Sequence, residues 1–208
     1  MTENWRKALL EAAVGDCITF GQYLYTADRG KKDIEWIVLA RETNRLLVIS
    51  QYALECMPYS TEDWHPSWET YTTWETSKLC CWLNEIFYRQ AFSDEERAMI
   101  HASCVPGDVN EDYGGEPNDT YDALFLLSIN EARRYFPSDE ARRCRLTPFA
   151  AQEETRIEDG CCIWWLRTNG ISSSTAANVR CDGSIHTMGN YVDYYLGVRP
   201  AMWITLEP

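Results

Sequence analysis

Apolar and polar positions follow two different periods along the first fifty residues. Residues 5–13 place apolar side chains at helical spacing among charged ones, which predicts an amphipathic helix. Residues 28–33 are turn-forming and charged, and they separate the first two of the strand-like runs that follow the helix. The predicted strands are residues 18–24, 34–40 and 46–50, the last two forming a β-hairpin.

The strongest helical pattern lies in the middle of the chain. Apolar residues recur there at spacings of three and four, and Thr76 or Ser77 is placed to cap the N-terminus of the helix. A second helix is predicted to begin at the capping box Ser93-Asp-Glu-Glu96 and to end before Pro106. The predicted apolar stripe of the first helix comprises Leu79, Trp82, Leu83, Ile86, Phe87 and Gln90.

The second half of the chain predicts more strands and one short helix. Residues 130–136 have a helical pattern, and residues 144–152 are predicted to be irregular. Since no repeat or linker interrupts the chain, we expect an α+β fold with two helices packed on mixed or antiparallel sheets. We assign residues 1–14 to an N-terminal helical extension and residues 15–208 to the domain. Dense apolar runs predict buried strands at residues 122–128, 161–167 and 197–205.

Two connecting segments have unusual compositions. Residues 58–75 combine three Trp with turn formers, which predicts an ordered loop held by core packing of Trp64, Trp68 and Trp74. Residues 107–121 are acidic and turn-rich. Clustered oxygens are what Ca²⁺ requires, but the spacing departs from that of an EF-hand. A solvated acidic loop is therefore the favoured interpretation, with a calcium loop as the alternative.

The net charge of the chain argues against two classes of binding partner, nucleic acids and anionic membranes. Nineteen Lys and Arg stand against 32 Asp and Glu, which gives a net charge of −13 and a pI near 4.6. Such a surface repels phosphate backbones and anionic membranes, so we expect no nucleic-acid partner. The sequence has neither a bilayer-length apolar run nor an apolar export signal at its start. We therefore expect no membrane insertion and a cytoplasmic or phage-particle location.

The cysteine and histidine residues form no recognisable disulfide, metal-binding or catalytic motif. The nine Cys include two vicinal pairs and no C-x-x-C motif, so we expect reduced thiols and neither a disulfide framework nor a zinc site. His65, His101 and His186 belong to no hydrolytic motif. We predict no catalytic residue, no metal ion and no cofactor.

The segment between the last two apolar runs differs from the rest of the chain. Residues 168–196 contain no Glu, Lys, Gln or Trp and are rich in Ser, Asn, Tyr, Thr and Asp. Alternation predicts a strand that buries Ala177, Val179 and Cys181 and turns the intervening Asn178, Arg180 and Asp182 to water. Gly183-Ser184 is predicted to be a turn, with Ile185 and Val192 as inward anchors. Tyr, Ser, Asn and Gly are the residues favoured in antibody paratopes, although an ordinary polar hairpin has a similar composition.

Several motifs resemble those of a bacterial domain family common in gut anaerobes. That family resembles the C-type-lectin-fold variable proteins of diversity-generating retroelements, which are related in fold to the formylglycine-generating enzyme. The resemblance extends over residues 15–206. It is carried by Trp164-Trp-Leu-Arg167, Val179, Asp182-Gly-Ser184, Gly197-Val-Arg-Pro-Ala201 and Trp203-Ile204, and by Trp74-Glu-Thr-Ser77, Trp82-Leu-Asn84, Phe92 and Phe125-Leu-Leu-Ser128.

The resemblance implies a C-type lectin-like fold with a variable region at about residues 168–196. In such systems a reverse transcriptase mutates adenines of a template, and substitutions in Asn codons of AAY type cannot yield Glu, Lys, Gln, Trp or Met. The depleted composition agrees with this, apart from Met188. The implied function is binding of a protein or cell-surface ligand, alone or within a larger phage or cell-surface assembly. The implied variable, ligand-binding residues are Asn169, Ser172, Ser173, Ser174, Asn178, Arg180, His186, Asn190, Tyr191, Asp193, Tyr194 and Tyr195.

Two alternative functions are also compatible with the sequence. One is an oxidase related to the formylglycine-generating enzyme, in which Cys161, Cys162 and Cys181 would be the candidates for holding copper. The other is a structural or interaction module of the same fold that does not diversify. In all three cases Arg167 and Arg199, which lie in apolar strands, are expected to be structural and to bond backbone and acidic partners.

Overall fold

Two five-stranded β-sheets share one apolar core in the computed structural model, which describes residues 3–61, 72–115, 117–153 and 155–206. Helices and sheets are both present, so the predicted α+β class is confirmed. The helices are α1 (Glu3–Glu11), α2 (Lys78–Trp82), α3 (Tyr88–Ala91), α4 (Asp94–Arg97), α5 (Ile129–Tyr135) and α6 (Asp139–Arg142). The strands are β1 (Cys17–Leu24), β2 (Lys31–Arg41), β3 (Arg45–Ser50), β4 (Glu55–Met57), β5 (Ser103–Val105), β6 (Thr120–Asp122), β7 (Leu124–Phe125), β8 (Ile157–Glu158), β9 (Cys161–Cys162), β10 (Trp164–Asn169), β11 (Thr175–Val179), β12 (Ile185–Tyr191), β13 (Leu196–Val198) and β14 (Ala201–Thr205).

The two sheets differ in strand direction. The first has the order β1-β2-β3-β14-β7, and every pair in it is antiparallel. The second has the order β12-β11-β10-β13-β4 and is mixed, because β10 and β13 run parallel. Strand β12 lies at one edge of this second sheet. The ribbons β5-β6 and β8-β9 accompany the two sheets.

The N-terminal elements agree with the sequence pattern. Helix α1 and strand β1 occupy the predicted places, and β2 and β3 form the predicted hairpin, with Val38 opposite Val48. The helix packs on the first sheet through Leu9, which is buried, and through the ring of Trp5, whose centroid lies 5.4 Å from that of Phe20. The guanidinium of Arg41 donates to the carbonyl oxygens of Leu10 and Ala12 at the C-terminal end of the helix. The predicted N-terminal extension is therefore in contact with the domain from Trp5 to Ala12.

The central helical segment begins as predicted but contains an unforeseen π-helical turn. Ser77 is its cap, because the Ser77 hydroxyl accepts a hydrogen bond from the Cys80 amide at 3.0 Å. Between α2 and α3, residues Leu83–Phe87 are π-helical. The additional residue in that turn rotates the buried face. Leu83 and Phe87 are buried, whereas Ile86, predicted for the stripe, is 47% exposed, and so the prediction for Ile86 was wrong.

The second predicted helix is much shorter than expected. Ser93 and Glu96 form both hydrogen bonds of the predicted capping box, but α4 ends at Arg97 rather than before Pro106. The chain then runs alongside the end of β14, where the Thr205 amide donates to the Met99 carbonyl at 2.8 Å. This contact between distant parts of the chain replaces helical hydrogen bonds after Met99, and local sequence cannot show it.

Each of the three apolar runs of the second half divides into two short strands. Residues 161–167 include β9 and most of β10, residues 122–128 include the last residue of β6 and all of β7, and residues 197–205 include most of β13 and all of β14. In each case the two pieces belong to different sheets. Pro200 lies at the last of these divisions, where its missing N–H prevents continued strand pairing. Apolarity therefore identified buried strands without revealing where the chain changes sheets.

One of the three tryptophans of the aromatic loop lies among the described residues. Trp74 lies in the core and its indole N–H donates to Asp122 at 2.7 Å, which confirms the core packing predicted for it. Trp64 and Trp68, together with His65, lie outside the described residues. In the part of the chain that the structure describes, no helix is long and apolar enough to cross a membrane.

Candidate functional site: a groove beside the C-terminal hairpin

Strands β11 and β12 form an antiparallel hairpin with residues 180–184 as its connection; we call this unit the C-terminal hairpin. Val179 pairs with Ile185, and the Arg180 amide donates to the Ser184 carbonyl at 2.9 Å. Gly183 has a φ of +88°, a left-handed conformation that favours glycine. The Arg142 guanidinium of α6 donates to the Gly183 carbonyl at 2.9 Å and holds the turn from below. The predicted turn at Gly183-Ser184 is confirmed.

The predicted alternation of β11 is only partly right. Ala177, Val179 and Cys181 are buried and Arg180 is exposed, as expected, but Asn178 is 0% exposed. Strand β11 lies between β10 and β12, and Asn178 is directly opposite His186. The Asn178 side-chain N–H donates to the side-chain oxygen of Asn190 at 2.8 Å, whereas the buried Asn178 Oδ1 has no hydrogen-bond partner among the described residues. Asn178 thus belongs to the interior, and its predicted exposure was wrong.

Two adjoining hollows lie beside the hairpin, and together they form what we call the C-terminal groove. The first has a volume of about 400 Å³ and the second of about 460 Å³. They share Arg156, Ile163 and Asn190, so they are continuous. The first hollow is also lined by Glu158, Arg180, Cys181, Asp182 and His186, and the second by Thr155, Asp193, Tyr194, Tyr195 and Leu196.

Six of the twelve predicted binding residues line this groove: Arg180, His186, Asn190, Asp193, Tyr194 and Tyr195. Tyr191 adjoins it, because the centroids of the Tyr191 and Tyr194 rings are 5.8 Å apart. Tyr191, Tyr194 and Tyr195 are each about half exposed, as expected. The anchors Ile185 and Val192 pack against the core, which confirms their predicted inward direction.

The remaining predicted residues lie elsewhere. Ser172, Ser173 and Ser174 lie in the connection before β11, where the Ser174 carbonyl accepts from the Val192 amide at 2.9 Å. Asn169 lines a separate small cavity of about 20 Å³ beside Trp74 and Arg167. The structure therefore does not bring Asn169 or the three serines into the groove.

Sequence reasoning missed the opposite wall of the groove. Thr155, Arg156, Glu158 and Ile163 precede the segment that composition singled out, and β8-β9 supplies part of this wall. The signal that could have identified this ribbon is the turn Asp159-Gly160, in which both residues have positive φ, at 50° and 74°. An Asp-Gly pair between short strands is a strong hairpin signal.

Burial and hydrogen bonding distinguish the charged groups of the groove. Partial burial of the His186 ring lowers its pKa, and the nearby positive charge of Arg180 lowers it further, while a hydrogen bond with Asn190 acts in the opposite direction. Hydrogen bonds from Ser184 lower the pKa of Asp182. Arg156 donates to Glu158 at 2.8 Å. At neutral pH the groove therefore carries a neutral imidazole beside a positive Arg180.

Buried side chains of β10, the strand that pairs with the C-terminal hairpin, are held in place by hydrogen bonds. Trp165 is 0% exposed, and its indole N–H donates to the Met57 carbonyl at 3.0 Å. Arg167 pairs with Glu131 and donates to the carbonyl oxygens of Leu126 and Pro106 at 2.9 and 3.1 Å. The structural role predicted for Arg167 is confirmed.

Arg199 is also buried, but it does not have both of the predicted kinds of partner, backbone and acidic groups. Its guanidinium donates to the Ser50 carbonyl at 2.8 Å and lies 5.1 Å from the ring centroids of Phe136 and Trp164. Within the described residues it pairs with no carboxylate, and its Nη1 has no hydrogen-bond partner. The predicted acidic partner of Arg199 was therefore wrong there. Aromatic faces supply part of the stabilisation that a carboxylate would have given.

The cysteines considered for copper are all buried thiols. Cys161, Cys162 and Cys181 are between 0% and 6% exposed. Across the described ranges, no group of three His, Cys, Asp or Glu side chains lies close enough to hold a metal ion. The groove therefore offers hydrogen-bonding, charged and aromatic surface for a ligand.

Comparison with known proteins assigns the chain to one protein family. The chain belongs to the family described as a domain of unknown function (DUF6273), which matches residues 43–206 and so includes the groove and the C-terminal hairpin. No curated protein and no solved structure matches the chain.

Proposed function

We propose that the protein is a ligand-binding protein that presents a diversified surface, the C-terminal groove with Tyr191, on a rigid scaffold. Its ligand is a protein or another cell-surface molecule. The scaffold is of the C-type lectin-like type, and the diversification is of the kind carried out by diversity-generating retroelements.

One observation carries the proposal. Six of the twelve residues that the sequence pattern proposed as variable line one groove, while Ile185 and Val192, which lie between them in the sequence, pack against the core. Adjacent positions of one segment therefore have separate tasks: the inward side chains fix the backbone, and the outward ones contact solvent. Such an arrangement tolerates change at the outward positions without loss of the fold.

The chemistry of the surface suits recognition by contact. Tyrosine offers a large rigid contact area at low entropic cost, and Asn and Ser offer adaptable hydrogen bonds. A scaffold that is ordered before binding loses less conformational entropy on association, so a shallow surface reaches useful affinity. The hydrogen bonds of Arg142 to Gly183 and of Asn178 to Asn190 provide this order beneath the groove.

A library of randomised variants tests whether the groove residues can change without loss of the fold. The six groove residues are varied together in the full chain, and the matched control varies six buried residues of the same region. We expect most groove variants to melt within a few degrees of the parent and different members to bind different folded proteins. The proposal fails if groove variants unfold as often as the controls. The control positions are Trp165, Thr175, Ala176, Ala177, Val179 and Val198.

Deep sequencing of the coding segment for residues 160–206 tests diversification directly. We expect substitutions at adenines within the codons of the groove residues and none at those of Ala177 and Val179. Substitutions spread evenly along the segment would contradict the retroelement part of the proposal and leave ligand binding by a fixed surface.

A further inference from the structure

Some charged groups of the C-terminal groove are already occupied by partners within the chain. Arg156 is paired with Glu158, and the Asp182 carboxylate accepts from the Ser184 amide at 2.9 Å and from its hydroxyl at 2.7 Å. By contrast, in the described part of the chain the Arg180 guanidinium and the Asp193 carboxylate make no side-chain hydrogen bond or ion pair. These two groups are therefore free to pair with a ligand, although the charge of Arg180 also acts on the nearby Asp182 carboxylate and lowers its pKa.

The two free charges lie in different hollows. Arg180 lines the first hollow with His186, and Asp193 lines the second with Tyr194 and Tyr195. Asn190 lines both hollows, and its side-chain oxygen is occupied by Asn178. The groove thus has an unpaired cation in one hollow and an unpaired anion with aromatic rings in the other, and a side-chain amide lines both.

We propose that the groove holds an extended polypeptide segment of its protein ligand, with an acidic side chain at Arg180 and a basic side chain at Asp193. This proposal rests on the ligand-binding function proposed above. A guanidinium binds a carboxylate through two parallel hydrogen bonds, which fixes the direction of the segment. The phenol rings of Tyr194 and Tyr195 accommodate the stem and charge of a basic side chain.

The alternatives in ligand chemistry fit these charges less well. A neutral glycan could hydrogen-bond to both groups through its hydroxyls, but it would leave both charges unneutralised. A polyanion would meet Asp193 in the second hollow and would be repelled by the chain's net charge of −13. A polypeptide carries charges of both signs at fixed spacing, and its backbone carbonyls can accept from the amide of Asn190.

Selection from random peptides displayed on phage tests the proposal with the full-length chain as bait. We expect enriched peptides to carry Asp or Glu and Lys or Arg at a recurring spacing. Binding of a synthetic enriched peptide should fall by about tenfold or more in Arg180→Glu, as expected for loss of a charged hydrogen-bonded pair. Replacing the acidic residue of the peptide by Lys should restore binding to that variant.

The matched control is Arg89→Glu, which changes the net charge equally at an exposed arginine of α3, outside the groove. It should leave peptide affinity unchanged. Peptides that need Tyr191, Tyr194 and Tyr195 but are indifferent to Arg180→Glu and Asp193→Lys would overturn the charge pairing and leave the proposed function standing. If no enriched peptide depends on the three tyrosines, the peptide proposal fails, whereas the proposed function is overturned only by the library test described above.

Discussion

The side-chain amide of Asn110 donates a hydrogen bond to the carbonyl oxygen of Thr187 at 2.9 Å. The same amide donates to the carbonyl of Asn169 at 2.8 Å, and its oxygen accepts from the Asp112 amide at 3.1 Å. Asn110 lies in the acidic segment 107–121, yet it is only 2% exposed. One residue of this segment therefore joins β10 to the edge strand β12 and supports the C-terminal hairpin from outside the hairpin itself.

Replacing this donor should loosen the hairpin. In Asn110→Asp, both hydrogen bonds to carbonyls are lost and an acceptor faces two acceptors, so we expect a loss of about 1–3 kcal/mol of unfolding free energy. Amide hydrogen exchange in β12 should become faster. Asn44→Asp makes the same change in charge at an exposed position and serves as the control. Equal stability of the two variants would contradict a supporting role for Asn110.

The turn of the hairpin should tolerate no side chain at Gly183. A Cβ there would lie 1.7 Å from the Asp139 carbonyl oxygen, so Gly183→Ala must displace the backbone of α6. Gly114→Ala is the matched control, because Gly114 also has a positive φ, +76°, but no atom lies within 4 Å of its Cβ position. The control should lose about 1–2 kcal/mol from the left-handed backbone alone. Urea denaturation should find a loss about 1–3 kcal/mol larger for Gly183→Ala.

The exposed tyrosines should matter little to the fold. Because Tyr191, Tyr194 and Tyr195 are about half exposed, replacing all three by Ala should shift the melting temperature by only a few degrees while removing ligand binding. Tyr59→Ala is the control: Tyr59 is 0% exposed and should cost about 3–5 kcal/mol. If calorimetry finds the triple variant unfolded, the three rings belong to the core and cannot form a variable surface.

By contrast, removal of the Trp165 side chain should destabilise the fold. It is 0% exposed, its ring centroid is 5.5 Å from that of Tyr59, and its indole is hydrogen-bonded to Met57. Trp165→Ala should therefore lower the unfolding free energy by about 3–5 kcal/mol. Trp203→Ala, at a partly buried position of β14, should cost less. Chemical denaturation measures the unfolding free energy of both variants. Similar losses would show that the Trp165 side chain contributes no more to stability than that of Trp203.

The N-terminal half was the more predictable part of the fold because its stability signals are local. Periodicity located α1 and the hairpin of β2 and β3, and a single hydroxyl, that of Ser77, marked the start of α2. The end of α4 depends on a hydrogen bond between Met99 and Thr205, which are far apart in sequence. Features that depend on such long-range contacts cannot be derived from local pattern.

The candidate site shows the same limit. Composition identified the outward residues of the hairpin, and burial agrees for Arg180 and Tyr194. It failed for Asn178, since alternation says which side of a strand a residue lies on but not what covers that side. Arg156 was missed because it reaches the groove through the chain's path before β8, and no residue pattern records that path.

A buried pair of thiols predicts how stability depends on pH. Burial raises the pKa of Cys144, but the hydrogen bond with Cys162 and the charge of Arg199 outweigh burial and lower the pKa to about 7. The Cys162 thiol, as the donor, has its pKa raised well above the usual value. An ionised Cys144 would place a negative charge near the buried Arg199, which has no carboxylate partner within the described residues.

The sign of the effect follows from proton binding. An unfolded thiol titrates near 9, so between pH 7 and 9 the folded chain binds fewer protons at Cys144 than the unfolded chain. The stabilisation from Cys144 is therefore present in full above pH 9 and is lost as the pH falls through 7. Urea denaturation should find that the unfolding free energy rises across this range more steeply in the parent than in Cys144→Ser, whose hydroxyl does not titrate. The subtraction removes contributions from Cys56 and other thiols whose raised pKa values act mainly above pH 9. Parallel curves for the two proteins would show that Cys144 is protonated and that Arg199 is held by the rings of Phe136 and Trp164 alone.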